Sequence, residues 1–283
     1  MTWPETVQFL TACLPSPIGR ALRAFAPGEV YELRIRANRP TLFLTSHGNA
    51  PCAFAPGAEQ VAQIAESLSE HALYARAEES RQGYVTLRGG HRMGLCGRVV
   101  AAGMSVRALR EIGSLCVRIA GQWPGTADVL APLVMGPEGR PRSTLIIGLP
   151  GTGKTTMLRD LCRQLSDGGL RVGVVDERSE LAACVQGAPQ LDVGANTDVL
   201  DGCCKEVGLR WLLRSMNPDC LATDELGSLA DAQAVRDAMR AGVPVLASLH
   251  AAGVEEAARQ GALFTLAQQQ AFDRYAVLDR GAP

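Results

Sequence analysis

Apolar and charged residues alternate through VYELRIR (30–36), and a period of two predicts a half-buried strand. TLFLT (41–45) is the expected hairpin partner, with Asn38-Arg39-Pro40 as the turn. Upstream, ETVQFLTACL (5–14) has helical spacing and stops at Pro15. Residues 59–75 read as an amphipathic helix. GYVTLRGGHRMGLCGRVV (83–100) gives two strand-like runs around Gly89-Gly90, and more short strands follow to position 120. These elements predict a small α+β domain over residues 1–125.

Trp123-Pro124-Gly125 and Gly136-Pro137-Glu138-Gly139 are breakers, with one helix expected between them at 126–134. From position 142 the pattern changes. Nearly continuous apolar runs at 143–148, 171–175, 219–223 and 243–249 alternate with helical stretches that include 154–166 and 229–241, and RYAVLD (274–279) adds a last strand. Apolar strands separated by helices predict a mostly parallel sheet covered on both faces, an α/β domain over 126–283. No internal repeat or low-complexity tract interrupts either half.

Charge and composition narrow the function. The net charge of −1 conceals an asymmetry: residues 1–125 carry 13 arginines and 9 acids (+4), and residues 126–283 carry 15 basic residues and 20 acids (−5). That is too little positive charge to nominate a nucleic-acid partner, and no basic groove interleaved with aromatics is evident. No apolar run approaches the roughly 20 residues that span a bilayer. MTWPETVQFL lacks the basic and apolar regions of a signal peptide, so a cytoplasmic protein is expected. Nine scattered cysteines without a Cys-x-x-Cys pair read as reduced thiols and not as a zinc site. Of 28 basic residues only Lys154 and Lys205 are lysines, which marks both for work that arginine does poorly.

The chemistry begins at GLPGTGKT. Gly148, Leu149, Pro150, Gly151, Thr152, Gly153, Lys154 and Thr155 fit the phosphate-loop pattern G-x-x-x-x-G-K-[ST], and Thr156 follows. The glycines let backbone N–H groups close around phosphate oxygens, and the following helix adds its positive end. Lys154 is expected at the β- and γ-phosphates and Thr155 at Mg²⁺. A second carboxylate for Mg²⁺ should end another strand at the same sheet edge, and DCLATDELG supplies Asp224, with Glu225 beside it to polarise water. The Asp-Glu pair, without an Asn-Lys-x-Asp guanine signature, favours ATP over GTP. Ser248 or His250, where the 243–249 strand ends, is placed to sense the γ-phosphate. VVDERSE (174–180) ends a strand at that edge too, which brings Asp176, Glu177, Arg178 and Glu180 towards the nucleotide.

The block from VVDERSE to RSMNPDCLATDELG resembles the stage III sporulation protein AA family, as do YELRIRANRP, GYVTLRGGHRMGLCGRVV and FDRYAVLDR. The resemblance covers nearly the whole chain. It implies a RecA-like motor domain behind an N-terminal domain, related to type II and type IV secretion and pilus ATPases. It further implies a homo-hexameric ring, ATP and Mg²⁺ as ligands, and membrane-embedded partners of a secretion-type channel between mother cell and forespore. By the same resemblance Asp176, Glu177 and Glu180 form an acidic box, with Asp176 near the metal, and His250 stands in a histidine box. An arginine of the N-terminal domain reaches a neighbouring subunit's nucleotide, with Arg88, Arg92 and Arg98 as candidates. The chain departs from the family pattern at Asn196, where Arg is expected, and at Cys204, where Pro is expected. The missing arginine leaves Arg178 or Arg214 as substitutes. Glu225 and Glu177 both remain candidates for the base. Two further readings are a nucleic-acid-stimulated RecA-class motor and a scaffold that uses ATP only to assemble.

Overall fold

Strand VYELRIR buries Leu33 and Ile35 as the alternation requires, while a register shift between Val30 and Glu32 breaks the pattern at its start, where Val30 and Glu32 are buried and Tyr31 faces out. The computed structural model describes residues 1–73, 77–103, 105–259 and 271–279, and the chain divides into two units, Met1–Gly121 and Gln122–Pro283. The first unit comprises α1 (Trp3–Cys13), α2 (Ser16–Leu22), β1 (Val30–Arg36), β2 (Thr41–Thr45), β3 (Gly48–Cys52), α3 (Ala58–Leu68), α4 (Ala77–Arg81), β4 (Tyr84–Thr86), β5 (Arg92–Ala102) and β6 (Ser105–Arg118). Its six strands form one antiparallel sheet in the order β3-β2-β1-β6-β5-β4. Val61, Ile64, Ala65 and Leu68 form the buried stripe of α3, the spacing that places them on one helix face. That helix ends well before 75. Glu70 and His71 take positive φ (54° and 60°), and the His71 N–H turns back to the Glu66 carbonyl at 2.8 Å.

The second unit comprises α5 (Ala131–Val134), β7 (Thr144–Gly148), α6 (Lys154–Asp167), β8 (Val172–Asp176), β9 (Thr197–Asp201), α7 (Lys205–Ser215), β10 (Cys220–Thr223), α8 (Leu229–Arg240), β11 (Val245–His250), α9 (Val254–Arg259) and β12 (Arg274–Leu278). All six strands run parallel, in the order β12-β7-β11-β10-β8-β9. Each residue of β7, β8 and β10 is buried, as expected of strands covered on both faces. The period of two sorts them: Ile146, Val174, Ala222 and Leu246 share a core with α6, while Leu145, Ile147, Leu221 and Ala247 share one with α7 and α8. Gly208 brings α7 close to the sheet, for a Cβ there would meet Val175 Cγ1 at 2.6 Å.

Two sequence expectations change. The helix expected over 126–134 is only Ala131–Val134, preceded by turns. Asp160 on α6 takes the N–H groups of Gly125 (3.0 Å) and Ala127 (2.8 Å), which fixes that segment as a turn. Edge strand β9, half exposed, has no counterpart among the strands read from the sequence.

Candidate active site

Because the sheet is parallel, β7, β8, β10 and β11 deliver Gly148, Asp176, Asp224 and His250 to one edge. The glycine loop crosses that edge before α6. A Cβ on Gly148 would run into the Thr152 hydroxyl and come within 3.1 Å of the Leu278 carbonyl. Gly151 and Gly153 take φ of 80° and 89°, a region open to glycine, and this curls the loop around its own N–H groups.

Lys154 is 5% exposed and lies back across the loop. Its Nζ donates to the Leu149 carbonyl and approaches His250 Nδ1, both at 3.0 Å. Burial lowers its pKa, while Asp224 and Glu225 pull the other way. An ammonium only donates, so Nδ1 accepts and the Nε2–H of His250 faces Glu225 Oε1, with which it pairs. The other oxygen of Glu225 pairs with Arg178. Lys154, His250, Glu225 and Arg178 thus form one continuous chain of contacts.

Thr155 Oγ1 donates to Asp224 Oδ2 at 2.6 Å. Asp224 Oδ1 accepts from the Ser248 hydroxyl and from the Glu225 N–H at 3.0 Å. That same N–H reaches Ser248 Oγ at 2.9 Å, and Glu225 holds φ at 51°, unusual for a residue with a Cβ. Ser248 therefore orients Asp224 and the turn at Glu225. Thr155 and Asp224, a hydroxyl beside a carboxylate at the foot of the glycine loop, suit a hard cation that keeps part of its water shell. Among the described residues no group of three His, Cys, Asp or Glu side chains forms a metal cage.

The acidic box behaves differently from the expectation. Asp176 is buried and its oxygens are spent on backbone: Oδ1 on the Glu180 N–H (2.8 Å), Oδ2 on those of Ala182 (2.8 Å) and Ala183 (3.3 Å). It shapes the loop after β8. Arg159, also buried, grips the same loop through the carbonyls of Leu181 (2.6 Å) and Glu180 (2.7 Å). Burial lowers its pKa, opposed by Asp176 and Asp224. Sequence reading missed Arg159; its signal is a charged residue where the stripe of the phosphate-loop helix turns inward. Glu177 pairs with Lys205, which is 5% exposed. Asp176, Glu177, Arg178, Glu180 and Lys205 line one cleft with Asp224 and Glu225.

Asn196 and Arg214 stand apart from the glycine loop. Asn196 bonds Ser166 through its N–H (2.7 Å) and its side-chain amide (3.2 Å), at the end of α6 farthest from the glycine loop. Arg214 is exposed in the last turn of α7. Arg88, Arg92 and Arg98 belong to the first unit. Arg92 lies 3.6 Å from the centre of the Tyr84 ring, Arg98 pairs with Glu111 at 3.3 Å, and Arg88 is exposed. No helix among the described residues is long and apolar enough to cross a membrane.

Comparison with known proteins agrees with the fold. Among solved structures, the Legionella pneumophila ATPase DotB superposes with a TM-score of 0.56 at 15% identity, covering 94% of this chain and 70% of that one. The pilus retraction motor PilT, solved with ADP, gives 0.50 at 16% identity over 83% of this chain and 66% of that one. At such identities the likeness is one of fold, the RecA-like phosphate-loop fold of secretion and pilus ATPases. The Bacillus subtilis (strain 168) stage III sporulation protein AA is 42% identical over 257 residues, 89% of this chain and 83% of the relative. The family described as sporulation stage III, protein AA matches residues 12–283, and the chain belongs to that family.

Proposed function

We propose that this chain is a Mg²⁺-dependent ATPase that powers or assembles a secretion-type channel during sporulation. The observation that carries this reading is the Thr155–Asp224 contact of 2.6 Å at the foot of a glycine loop, flanked by Lys154 and Glu225. In this reading the N–H groups from Gly148 to Thr156 hold the phosphate chain, and Lys154 leaves Leu149 and His250 for the β- and γ-phosphates. Thr155 and Asp224 hold Mg²⁺, which when bound offsets charge on the phosphate oxygens. Glu225 takes the proton of the attacking water once it is freed from Arg178 and His250. His250 joins the lysine that meets the phosphates to the carboxylate that meets water, which suits a γ-phosphate sensor. Asp176 and Glu177 act by shaping the loop after β8. An arginine such as Arg92 completes the site from the next subunit of a homo-hexamer held at the cytoplasmic face by membrane-embedded partners.

The test is ATP turnover with Mg²⁺. Lys154→Ala is expected to abolish binding and turnover. Glu225→Gln is expected to bind ATP as the parent does and to lose at least about 100-fold in rate, the scale of a positioned general base. Full turnover in Glu225→Gln removes it from that role. Turnover that needs single-stranded DNA or RNA favours the nucleic-acid motor instead, and assembly driven equally by a non-hydrolysable analogue favours the scaffold.

A further inference from the structure

On the ATPase reading the phosphate chain has a direction on this edge. Lys154, Thr155, Asp224 and His250, which contact one another in pairs, would mark its γ end on the β10–β11 side of the α6 N-terminus. The nucleoside end must therefore leave along another face of α6. Thr156, Arg159, Asp160 and Arg163 stand at i, i+3, i+4 and i+7, the stripe that forms one face of a helix. A concavity runs along this face, and Trp123 and Pro124 form its opposite side.

Trp123 is 58% exposed, yet its backbone is fixed. The Trp123 carbonyl accepts the Thr126 hydroxyl at 2.6 Å, Gly125 turns the chain with φ of 91°, and the buried carboxylate of Asp160 takes the N–H groups of Gly125 and Ala127. Asp160 is held in turn by Arg163 at 2.7 Å. Asp160, one helical turn beyond Thr156, thereby ties the indole's turn to the phosphate-loop helix. A large aromatic left open to water on a turn this well anchored has a flat face to offer a ligand, and bases stack on such faces whatever their edges. The charged groups around it are already engaged, Asp160 with Arg163, Arg159 with the Leu181 and Glu180 carbonyls and Asp192 with the Gly194 N–H, so stacking is the interaction the indole has to offer.

We propose that Trp123 is the base-stacking platform of the nucleotide site: the base of a bound nucleoside triphosphate lies on the indole beside Thr156, while its phosphates occupy the glycine loop. The proposal deepens the ATPase reading above and rests on it.

Two measurements on the full chain test it. In the first, ATP and inorganic tripolyphosphate, each with Mg²⁺, are titrated calorimetrically. Trp123→Ala is expected to weaken ATP by about tenfold to a hundredfold, the scale of lost base stacking, and to leave tripolyphosphate unchanged. Trp123→Phe should recover most of the loss. In the second, the Trp3→Phe, Trp211→Phe double variant leaves Trp123 as the one indole, and its emission should be quenched by ATP but not by tripolyphosphate. Unchanged ATP affinity in Trp123→Ala overturns the proposal. So does equal weakening of both ligands, which indicates a merely structural role. A parent chain that binds neither ligand overturns the ATPase reading and this proposal with it; one that binds both, with Trp123→Ala indifferent, overturns this proposal alone.

Discussion

Glu225 and Glu177 follow strands at the same edge, and their partners separate their roles. Glu225 touches Arg178, whose side chain is mostly exposed, and His250; contacts of that kind contribute little to stability and exchange readily with water or ligand. Glu177 neutralises Lys205, whose ammonium has almost no access to solvent. Breaking a buried pair leaves the remaining charge uncompensated. Glu177→Gln is therefore expected to lower unfolding stability by about 1–3 kcal/mol, the lower part of the range for buried pairs because Glu177 itself is partly exposed. Glu225→Gln should leave stability nearly unchanged. Urea unfolding of the two variants, set beside their turnover, separates a structural carboxylate from a catalytic one. If Glu177→Gln is as stable as the parent and loses turnover while Glu225→Gln keeps it, the roles are reversed.

At the scale of elements, the turn between β4 and β5 carries a pH dependence. His91 is fully buried, its Nδ1 accepts the Ala120 N–H at 3.0 Å, and its ring stacks on Phe9 of α1. The proton of the neutral ring thus sits on Nε2, which has no hydrogen-bond partner among the described residues. A second proton would have to enter at Nδ1, against the Ala120 N–H, and burial pushes the pKa down to about 4. The unfolded chain titrates near 6.5, so between about 6.5 and 4 it binds more protons than the folded one. The contribution is complete above pH 6.5 and is lost as pH falls towards 4, on the order of 3 kcal/mol in all. Chemical unfolding measured across that window should show the slope in the parent and a smaller one in His91→Gln. Equal slopes would assign the acid sensitivity to other groups. None of this was legible in the sequence, where His91 follows two glycines in a turn. Legibility depended on how local the determinant is. The buried parallel strands and the glycine loop could be read because an apolar run and a fixed spacing suffice. Strand β9 could not, because TDVLD is a half-exposed edge, and helix α3 was read too long because its end depends on a backbone reversal at non-glycine residues. The roles of Asp176 and Arg159 depend on the path of the loop at 178–184, which no local pattern encodes.

The molecule as a whole joins a unit of net +4 (13 arginines, 9 acids in Met1–Gly121) to one of net −5 (15 basic residues, 20 acids in the remainder). In the proposed homo-hexamer these opposite net charges favour the first unit of one copy facing the second unit of the next. That contact is heterologous, and heterologous contacts close into rings when the rotation allows. In the proposed ring, an arginine of one copy would meet the glycine loop of its neighbour. Nucleotide should then favour assembly, since γ-phosphate charge is best offset when that arginine is present. Light scattering of the parent is expected to show a larger mass with ATP and Mg²⁺ than without, and the increase should be lost in Lys154→Ala. Because the attraction is between net charges and is not confined to one buried pair, it should weaken as salt shortens the screening length from about 10 Å at 0.1 M to about 3 Å at 1 M. One mass under every condition would overturn the ring, and with it the need for an arginine in trans. A nucleotide-driven increase that resists salt would keep the ring but place its strength in apolar contacts, for which the exposed Val207 and Trp211 on α7 are the first residues to substitute.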